Sequence, residues 1–512
     1  MTRARRGALL GFLAVGLAAA APFFLSTTFF GDDHLFLAFA RHVGDPFLPF
    51  VRDMHGGEYY RPLWMLFWWL LAGAGALWPF ALAALALHAG ASVLVAALLR
   101  ALGRPLSVAV SAGVLMFLAP QNLAAALWFS ATTDLLATVF VLAALLALLR
   151  GRPLVSALAA LAAFLSKESS FVLPLLSAMA LSLRERTVPD VSRERHRPLG
   201  RPLGREIAPQ LVLLAAVCLV RRAVLHGWGG SGDPRAGLGG TIVQIFGGFA
   251  QTFTGEAVFP PPLALAVGTM ILALTVFAIV WRGRGTPAAR FAPLAFAAVA
   301  AAPLFAAGWA VGGRYYYLPA VGLCWAVAEA LEGAAVGLAA RVTLTAVLLA
   351  VGVAQAAERR QEVVSYDRRV AAARRAVAAG LGAGHHVFHI DGGIKDLDLA
   401  VKEDPLIEAG GVLVLGDVPA SFVLVPPELE LTVAPLAAVP PLPPSGAYRF
   451  GDVRVVGLAR RGDEPDLDEA LSRFPDLRFI RLRSIRGGQV IARDMTGEIK
   501  RRLDAGGGDG QD

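Results

Sequence analysis

Charge is scarce in this chain. Asp, Glu, Lys and Arg make up 17% of its 512 residues, against 56% for the hydrophobic types, and mean hydropathy is +0.60. A water-soluble domain holds nearer a quarter charged residues and alternates apolar with polar positions at a period of 2 or 3.6. Here the apolar residues come instead in unbroken runs of Ala, Leu and Val, each close to the ~20 residues that carry a helix across ~30 Å of hydrocarbon. A soluble globular protein is thereby excluded. Cysteine is scarcer still: the chain has two, Cys218 and Cys324, both inside apolar runs. A thiol there packs as a small polarizable group, so no disulfide is expected. The sequence also lacks an internal repeat, and after residue 358 it shows no metal or phosphate motif.

What is plentiful is arginine, and its placement is informative. The net charge of +8 would suggest nucleic acid in a soluble protein; here much of the Arg lies in short loops between apolar runs, which makes it a topology signal and leaves no nucleic-acid partner. Arg3, Arg5 and Arg6 precede an apolar stretch from Gly7 to Leu25, which keeps the N-terminus cytoplasmic. A cleaved signal peptide, with small residues around Ala18 to Ala21, is the competing reading. Further spans read 80–99, 106–120, 133–149, 153–166, 171–183, 207–225, 263–281, 291–310, 317–333 and 342–357, giving about eleven transmembrane helices. Alternating from an inside start leaves Arg100, Arg104, Arg150, Arg152, the seven arginines from Arg184 to Arg205, Arg282, Arg284, Arg290 and Arg341 on the cytoplasmic side.

Three segments then lie outside: 27–79, 226–262 and everything after 358. The piece from Pro62 to Trp78 holds Trp64, Trp68, Trp69 and Trp78 and is expected to lie at the interface, with an extra span as the alternative. After 358, short β-rich runs at His386–Ile390, Val412–Leu415, Phe422–Val425, Val453–Leu458 and Phe479–Leu482, and a helix at Leu467–Phe474, point to a small extracytoplasmic α/β domain over 358–504. A Gly/Asp tail, 505–512, is expected to be disordered.

In so oily a chain, polar residues at the outer surface are the functional candidates. The first outer loop holds Asp32, Asp33 and His34, then Asp45, Arg52, Asp53 and His55, then Glu58, Tyr59, Tyr60 and Arg61. The adjacent acids are flanked by Phe29, Phe30, Leu35 and Phe36 and would be costly to dock at a bilayer without a task. Lys167 and Glu168 sit in a short turn between two apolar helices, where they could also pair with each other. Arg221, Arg222 and Arg314 stand on the face the positive-inside rule leaves poor in cations, and a phosphate at headgroup level is the anion that fits an arginine fork. Snorkelling to lipid headgroups is the alternative.

These residues carry a resemblance to the C-type glycosyltransferases, polytopic enzymes that take a sugar from a polyprenyl phosphate. Asp32-Asp33-His34 resembles the acidic pair of the protein O-mannosyltransferases and of the O-mannosyltransferases with tetratricopeptide repeats. Tyr60-Arg61-Pro62-Leu63 resembles their Tyr-Arg-Pro-Leu, and also a Tyr-Glu-Lys-Pro-Pro segment of the aminoarabinose transferases. Leu165-Ser166-Lys167-Glu168 and Arg314-Tyr315-Tyr316-Tyr317-Leu318-Pro319 resemble a Leu-Ser-Lys-Glu and an Arg-Tyr-x-Tyr-Leu-Pro. Trp128-Phe129-Ser130 with Asp134-Leu135-Leu136 is similar to a Trp-x-Ser-x-x-x-Asp-Leu-Leu stretch of the repeat-bearing branch. The resemblance covers residues 1–335; no tetratricopeptide repeats follow, and residues 358–512 match no family pattern.

The resemblance implies a mannosyltransferase-like enzyme of the cell envelope, multi-pass in a bacterial inner membrane, using a polyprenyl-phosphate sugar and membrane lipid. The acceptor is open: protein, lipid or glycan. Such a transfer needs a base opposite a good leaving group, which gives inversion, and fixed positive charge for the departing phosphate. Asp32 is the expected base, with Asp33 second. Arg61 and Arg314 are the expected phosphate clamp, with Lys167, Arg221 and Arg222 behind them, and His34, Tyr60, Tyr315, Glu168 and Asp134 are expected to touch substrate. No cofactor is assigned; a divalent metal at the acidic pair would suit the phosphate, but no set of ligands for it stands out. A transporter or flippase of lipid-linked or small anionic substrates is the main rival, and it would place charges or broken helices near the bilayer midplane.

Overall fold

The computed structural model describes residues 28–30, 33–34, 36–37, 40, 45–53, 59–187, 203–228, 238–254, 261–282, 287–307, 313–333 and 338–384, then the strands from Val387 to Asp494 and residues 495–498 and 501. Thirteen α-helices lie among them: α1 (Pro62–Ala72), α2 (Trp78–Ala101), α3 (Leu106–Leu118), α4 (Pro120–Ala126), α5 (Thr132–Leu149), α6 (Pro153–Ser166), α7 (Leu173–Thr187), α8 (Leu203–Val224), α9 (Leu238–Thr254), α10 (Pro261–Arg282), α11 (Pro287–Ala307), α12 (Tyr317–Gly333) and α13 (Leu338–Gly382). The protein is an α-helical polytopic membrane protein with a small C-terminal α/β part. Ten of the expected apolar segments coincide with helices; the first, Gly7–Leu25, lies outside the described residues, as do Leu467–Phe474 and the tail 505–512.

Among the described residues, α2, the run Phe129–Leu149 and Gly204–Val224 are each long and apolar enough to cross a membrane, and α3 with α4 makes a fourth if the pair, bent by 56°, is one span. The bend falls at Pro120, which cannot continue the ladder of hydrogen bonds. Asn122 Nδ2 answers a carbonyl near the break by donating to Met116 O at 3.1 Å, as a hydrocarbon setting requires. Helix α1 spans 11 residues, about 16 Å at 1.5 Å per residue, too short to cross. Of the tryptophans in this stretch, Trp64 and Trp68 are buried, Trp69 is half-buried and Trp78 is exposed, and Trp64 Nε1 donates to Thr132 Oγ1 at 3.0 Å.

Two units divide the described chain. The first, mostly helical, takes in residues 58–67 and 76–360; the second takes in 28–57, 68–75 and 361–512. In the first, α5 is the enclosed helix, with Val141, Leu142, Ala144 and Leu145 sealed from outside. Small residues let its neighbours approach closely: a Cβ at Gly322 of α12 would lie 2.5 Å from Pro293 O of α11, the small-residue contact typical of helices packed in lipid. Ser156, Gln210 and Ser177 form a buried hydrogen-bond chain across α6, α8 and α7, at 3.0 and 2.8 Å.

In the second unit β1 (Val387–Asp391), β2 (Leu413–Gly416), β3 (Val423–Val425), β4 (Gly446–Phe450), β5 (Val453–Gly457), β6 (Arg460–Arg461), β7 (Glu464–Pro465), β8 (Arg478–Ser484) and β9 (Val490–Asp494) make three sheets. One has order β2-β1-β8-β9, parallel except for β9, one has order β3-β5-β4, and β6 pairs with β7. Five strands match the β-rich runs expected from sequence. Helix α13, at 45 residues, continues well past the composition change at 358. That change marks where the helix stops being apolar, and the first strand opens only at Val387.

Candidate active site

Breaks between helices build the polar end of the first unit. Helix α6 stops at Ser166 because Lys167 is extended (φ −163°, ψ 144°), and a 3-10 turn, Glu168–Val172, leads into α7. Hydroxyls answer the carbonyls this break exposes: Thr133 Oγ1 donates to Ser166 O at 3.0 Å, and Ser170 Oγ to Lys167 O at 2.7 Å. Trp128 is likewise extended between α4 and the turn Phe129–Ala131. Asp134 occupies the first turn of α5, where the helix dipole favours a carboxylate. At the end of α8 His226 adopts a left-handed conformation (φ 53°), and the carbonyl of Trp228 accepts from Arg221 Nε at 3.0 Å.

Three tyrosines in a row are used in three ways. They open α12 from the 3-10 turn Gly313–Tyr316. Tyr317 is buried and its hydroxyl lies 2.7 Å from His88 Nδ1. Tyr316 packs with Ala301, Leu304 and Phe249 over Gly248, where a Cβ would fall 2.0 Å from its ring. Tyr315 faces the charges.

Those charges interlock. Glu168 accepts from Arg61 Nε and Nη2, each at 2.9 Å, and from Arg221 Nη1 at 2.6 Å. Burial alone would raise its carboxyl, and the two guanidiniums more than offset that, holding it at about 2. Lys167 Nζ donates to Asp134 Oδ1 at 2.5 Å and sits 4.4 Å from the centre of the Tyr315 ring. Burial pushes the Lys167 ammonium down, partly countered by Asp134. Asp134 is buried, and its Oδ2 has no hydrogen-bond partner among the described residues. Arg314 stacks on Trp128, Cζ 3.9 Å from the ring centre, and donates to Tyr315 Oη at 3.3 Å. Arg61 also lies over Tyr59, at 4.2 Å.

The structure thus brings together Arg61, Lys167, Glu168, Arg221, Asp134, Arg314 and Tyr315, which span more than 250 positions of sequence. Arg222 does not join them: it is exposed and lies over Trp228 at 5.0 Å. Adjacent residues on a helix point about 100° apart, so only one of the pair can turn inward. Tyr60 is buried. Sequence reasoning passed over Arg359, which lies 4.8 Å from the centre of the Trp128 ring; its signal was a basic residue just past an apolar run.

Asp33 and His34 belong to the second unit. Asp33 is fully buried, and its Oδ2 accepts from the backbone N–H of Phe30 at 3.0 Å, the reach-back of a capping box. His34 stacks on Tyr366, ring centres 5.4 Å apart and planes at 17°, and Asp367 accepts from Thr28 Oγ1 at 3.1 Å. Asp32, His55 and Glu58 lie outside the described residues.

Apolar helices of this kind, with a cluster of cations bridged by carboxylates at their breaks, define an integral membrane protein with a buried polar cluster. No known protein family matches the chain, and no curated protein does. The solved structure of ArnT from Cupriavidus metallidurans, bound to undecaprenyl phosphate, is similar to it at 15% identity and a TM-score of 0.44, over 82% of this chain and 96% of ArnT.

Proposed function

We propose that the chain is an inverting glycosyltransferase that moves a monosaccharide from a polyprenyl phosphate to an acceptor hydroxyl outside the cytoplasm. One observation supports the reading: four of the five fragments that resemble the C-type enzymes, dispersed along the sequence, supply Arg61, Lys167, Glu168, Asp134, Arg314 and Tyr315 to one cluster, which Arg221 joins and which holds four cations and two carboxylates among the described residues. Cations clustered where apolar helices break suit a phosphate anchored in the bilayer.

In the reaction the acceptor oxygen bonds to the anomeric carbon from the face opposite the phosphate. The bond from that carbon to the phosphate oxygen breaks, its electron pair leaves with the polyprenyl phosphate, and the acceptor proton passes to a carboxylate. Asp32 takes that proton. Asp33, whose oxygen is engaged by the Phe30 N–H, orients its neighbour or the acceptor. Arg314 and Arg61 stabilise the departing phosphate, and the buried Oδ2 of Asp134 accepts from a hydroxyl of the sugar. The orientation, with this end outside, follows the arginine placement.

The test is incubation of the purified protein with labelled polyprenyl-phosphate hexoses and pentoses and a membrane extract. Transfer with inversion at the anomeric carbon is expected. Absence of transfer from every donor, or retention of configuration, would overturn the proposal.

A further inference from the structure

Arg359 matches none of the motifs in the chain, yet it meets Arg314 at the same indole. It stands on α13, two residues past the apolar run 342–357, its Cζ 4.8 Å from the centre of the Trp128 ring that Arg314 approaches at 3.9 Å. All three belong to the first unit, and 44 positions of sequence separate the arginines. Stacking uses the face of a guanidinium and leaves its N–H donors in the plane, one of which Arg314 gives to Tyr315 Oη. Two guanidiniums gathered at one ring attract a ligand of charge near −2 more strongly than one of charge −1.

We infer that Trp128 holds Arg314 and Arg359 as a two-arginine site for a phosphate monoester, the group that the lipid donor becomes when it leaves. The inference rests on the proposed function and deepens it. A donor sugar phosphate is a diester with one negative charge; once the anomeric bond breaks, the lipid phosphate is a monoester that carries up to two. A pair of arginines therefore binds the leaving group more tightly as the bond breaks, which is where binding accelerates a reaction. Trp128 is a positioning residue in this scheme, and Arg359 a phosphate-binding one.

The experiment measures binding of farnesyl phosphate, and of its methyl diester, to the purified full-length protein in detergent at pH above the second ionisation of the monoester. The wild type is expected to prefer the monoester by about tenfold or more, in line with charge-assisted hydrogen bonds. Arg359→Gln should weaken monoester binding about tenfold to a hundredfold and the diester much less, so that the preference collapses. Arg359→Lys should recover part of it, since the charge is kept and the planar fork lost. A fold defect would lower both affinities together and leave their ratio intact, so an unchanged ratio in both variants overturns the assignment of Arg359. Inorganic phosphate at equal concentration is expected to displace little farnesyl phosphate; full displacement would make this a site for free phosphate and overturn the lipid assignment. A wild type that binds neither farnesyl compound would overturn the proposed function as well.

Discussion

Replacing Glu168 by Gln keeps the shape of the side chain and removes the charge that holds two arginines together. The wild-type carboxylate accepts three contacts, two from Arg61 at 2.9 Å and one from Arg221 at 2.6 Å. Glutamine retains one carbonyl acceptor, so at least the single contact to Arg221 is lost, at about 1.5–3 kcal/mol, and both Arg61 contacts instead if the amide is turned the other way. Both guanidiniums are largely buried and then repel, so the cost falls in the range of about 3–5 kcal/mol typical of breaking a buried ion pair from one side. In a chain of this size that lowers the thermal midpoint by on the order of 3–5 °C. Tryptophan fluorescence during heating in detergent measures it.

The pH dependence has a definite sign. The carboxyl is held at about 2 in the folded protein against 4.5 ordinarily. The stability it contributes is therefore complete above about 4.5 and is lost as pH falls toward 2. The gap between wild type and Glu168→Gln should stay constant between about pH 8 and 5, then close under acid. A midpoint shift below about 1 °C, or a gap that closes near neutral pH, would refute the reasoning.

Asp32→Asn should leave insertion and donor binding near normal and reduce transfer at least about a hundredfold, the usual weight of a general base; transfer assays with a labelled donor decide, and full activity in the Asp32, Asp33 double variant would end the mechanism. Asp33→Ala should instead cost about 1 kcal/mol of stability through its lost reach to the Phe30 N–H, while Asp33→Asn, which keeps an accepting oxygen, should be near-neutral for stability with a milder effect on rate than Asp32→Asn. Alkaline phosphatase fused near Ala379 should be active and fused near Arg193 silent; the reverse pair of results would turn the protein over in the membrane. Gly248→Ala places a methyl 2.0 Å from the Tyr316 ring and should destabilise by about 1–3 kcal/mol, lowering the melting midpoint; an unchanged midpoint would mean that Tyr316 moves freely.

Much of this was legible because oil leaves polar residues few places to go. Lys167 and Glu168 stood out in an apolar background, and both proved to be ion-paired, though with Asp134 and with two arginines rather than with each other. Arg221 and Arg222 were indistinguishable in sequence, since helix phase depends on which face finds neighbours. Helix α9 was read as part of an outer loop. Its glycines suggest a break in isolation, whereas Gly248 supplies the space that Tyr316 fills. Arg359 was hidden among charged neighbours, Glu358 and Arg360, past the point where the apolar pattern ends. An adjacent acidic pair cannot be apportioned from sequence either, because the helix start that engages Asp33 is a matter of backbone geometry.

The contact of His88 with Tyr317 has a consequence for how the arginine end behaves in time. Phe117 O, 3.0 Å from His88 Nε2, can only accept, so Nε2 carries the proton and Nδ1 receives one from the tyrosine hydroxyl. All three groups are buried, and water is not at hand to take over a bond that opens. The segment beginning at Arg314 is thus pinned to the middle of α2 three residues downstream of the guanidinium. Sliding α12 by a turn would strand a histidine and a phenol in hydrocarbon. The backbone that carries Arg314 is consequently set in place when the protein folds, three residues from a buried anchor that the arginine itself does not touch.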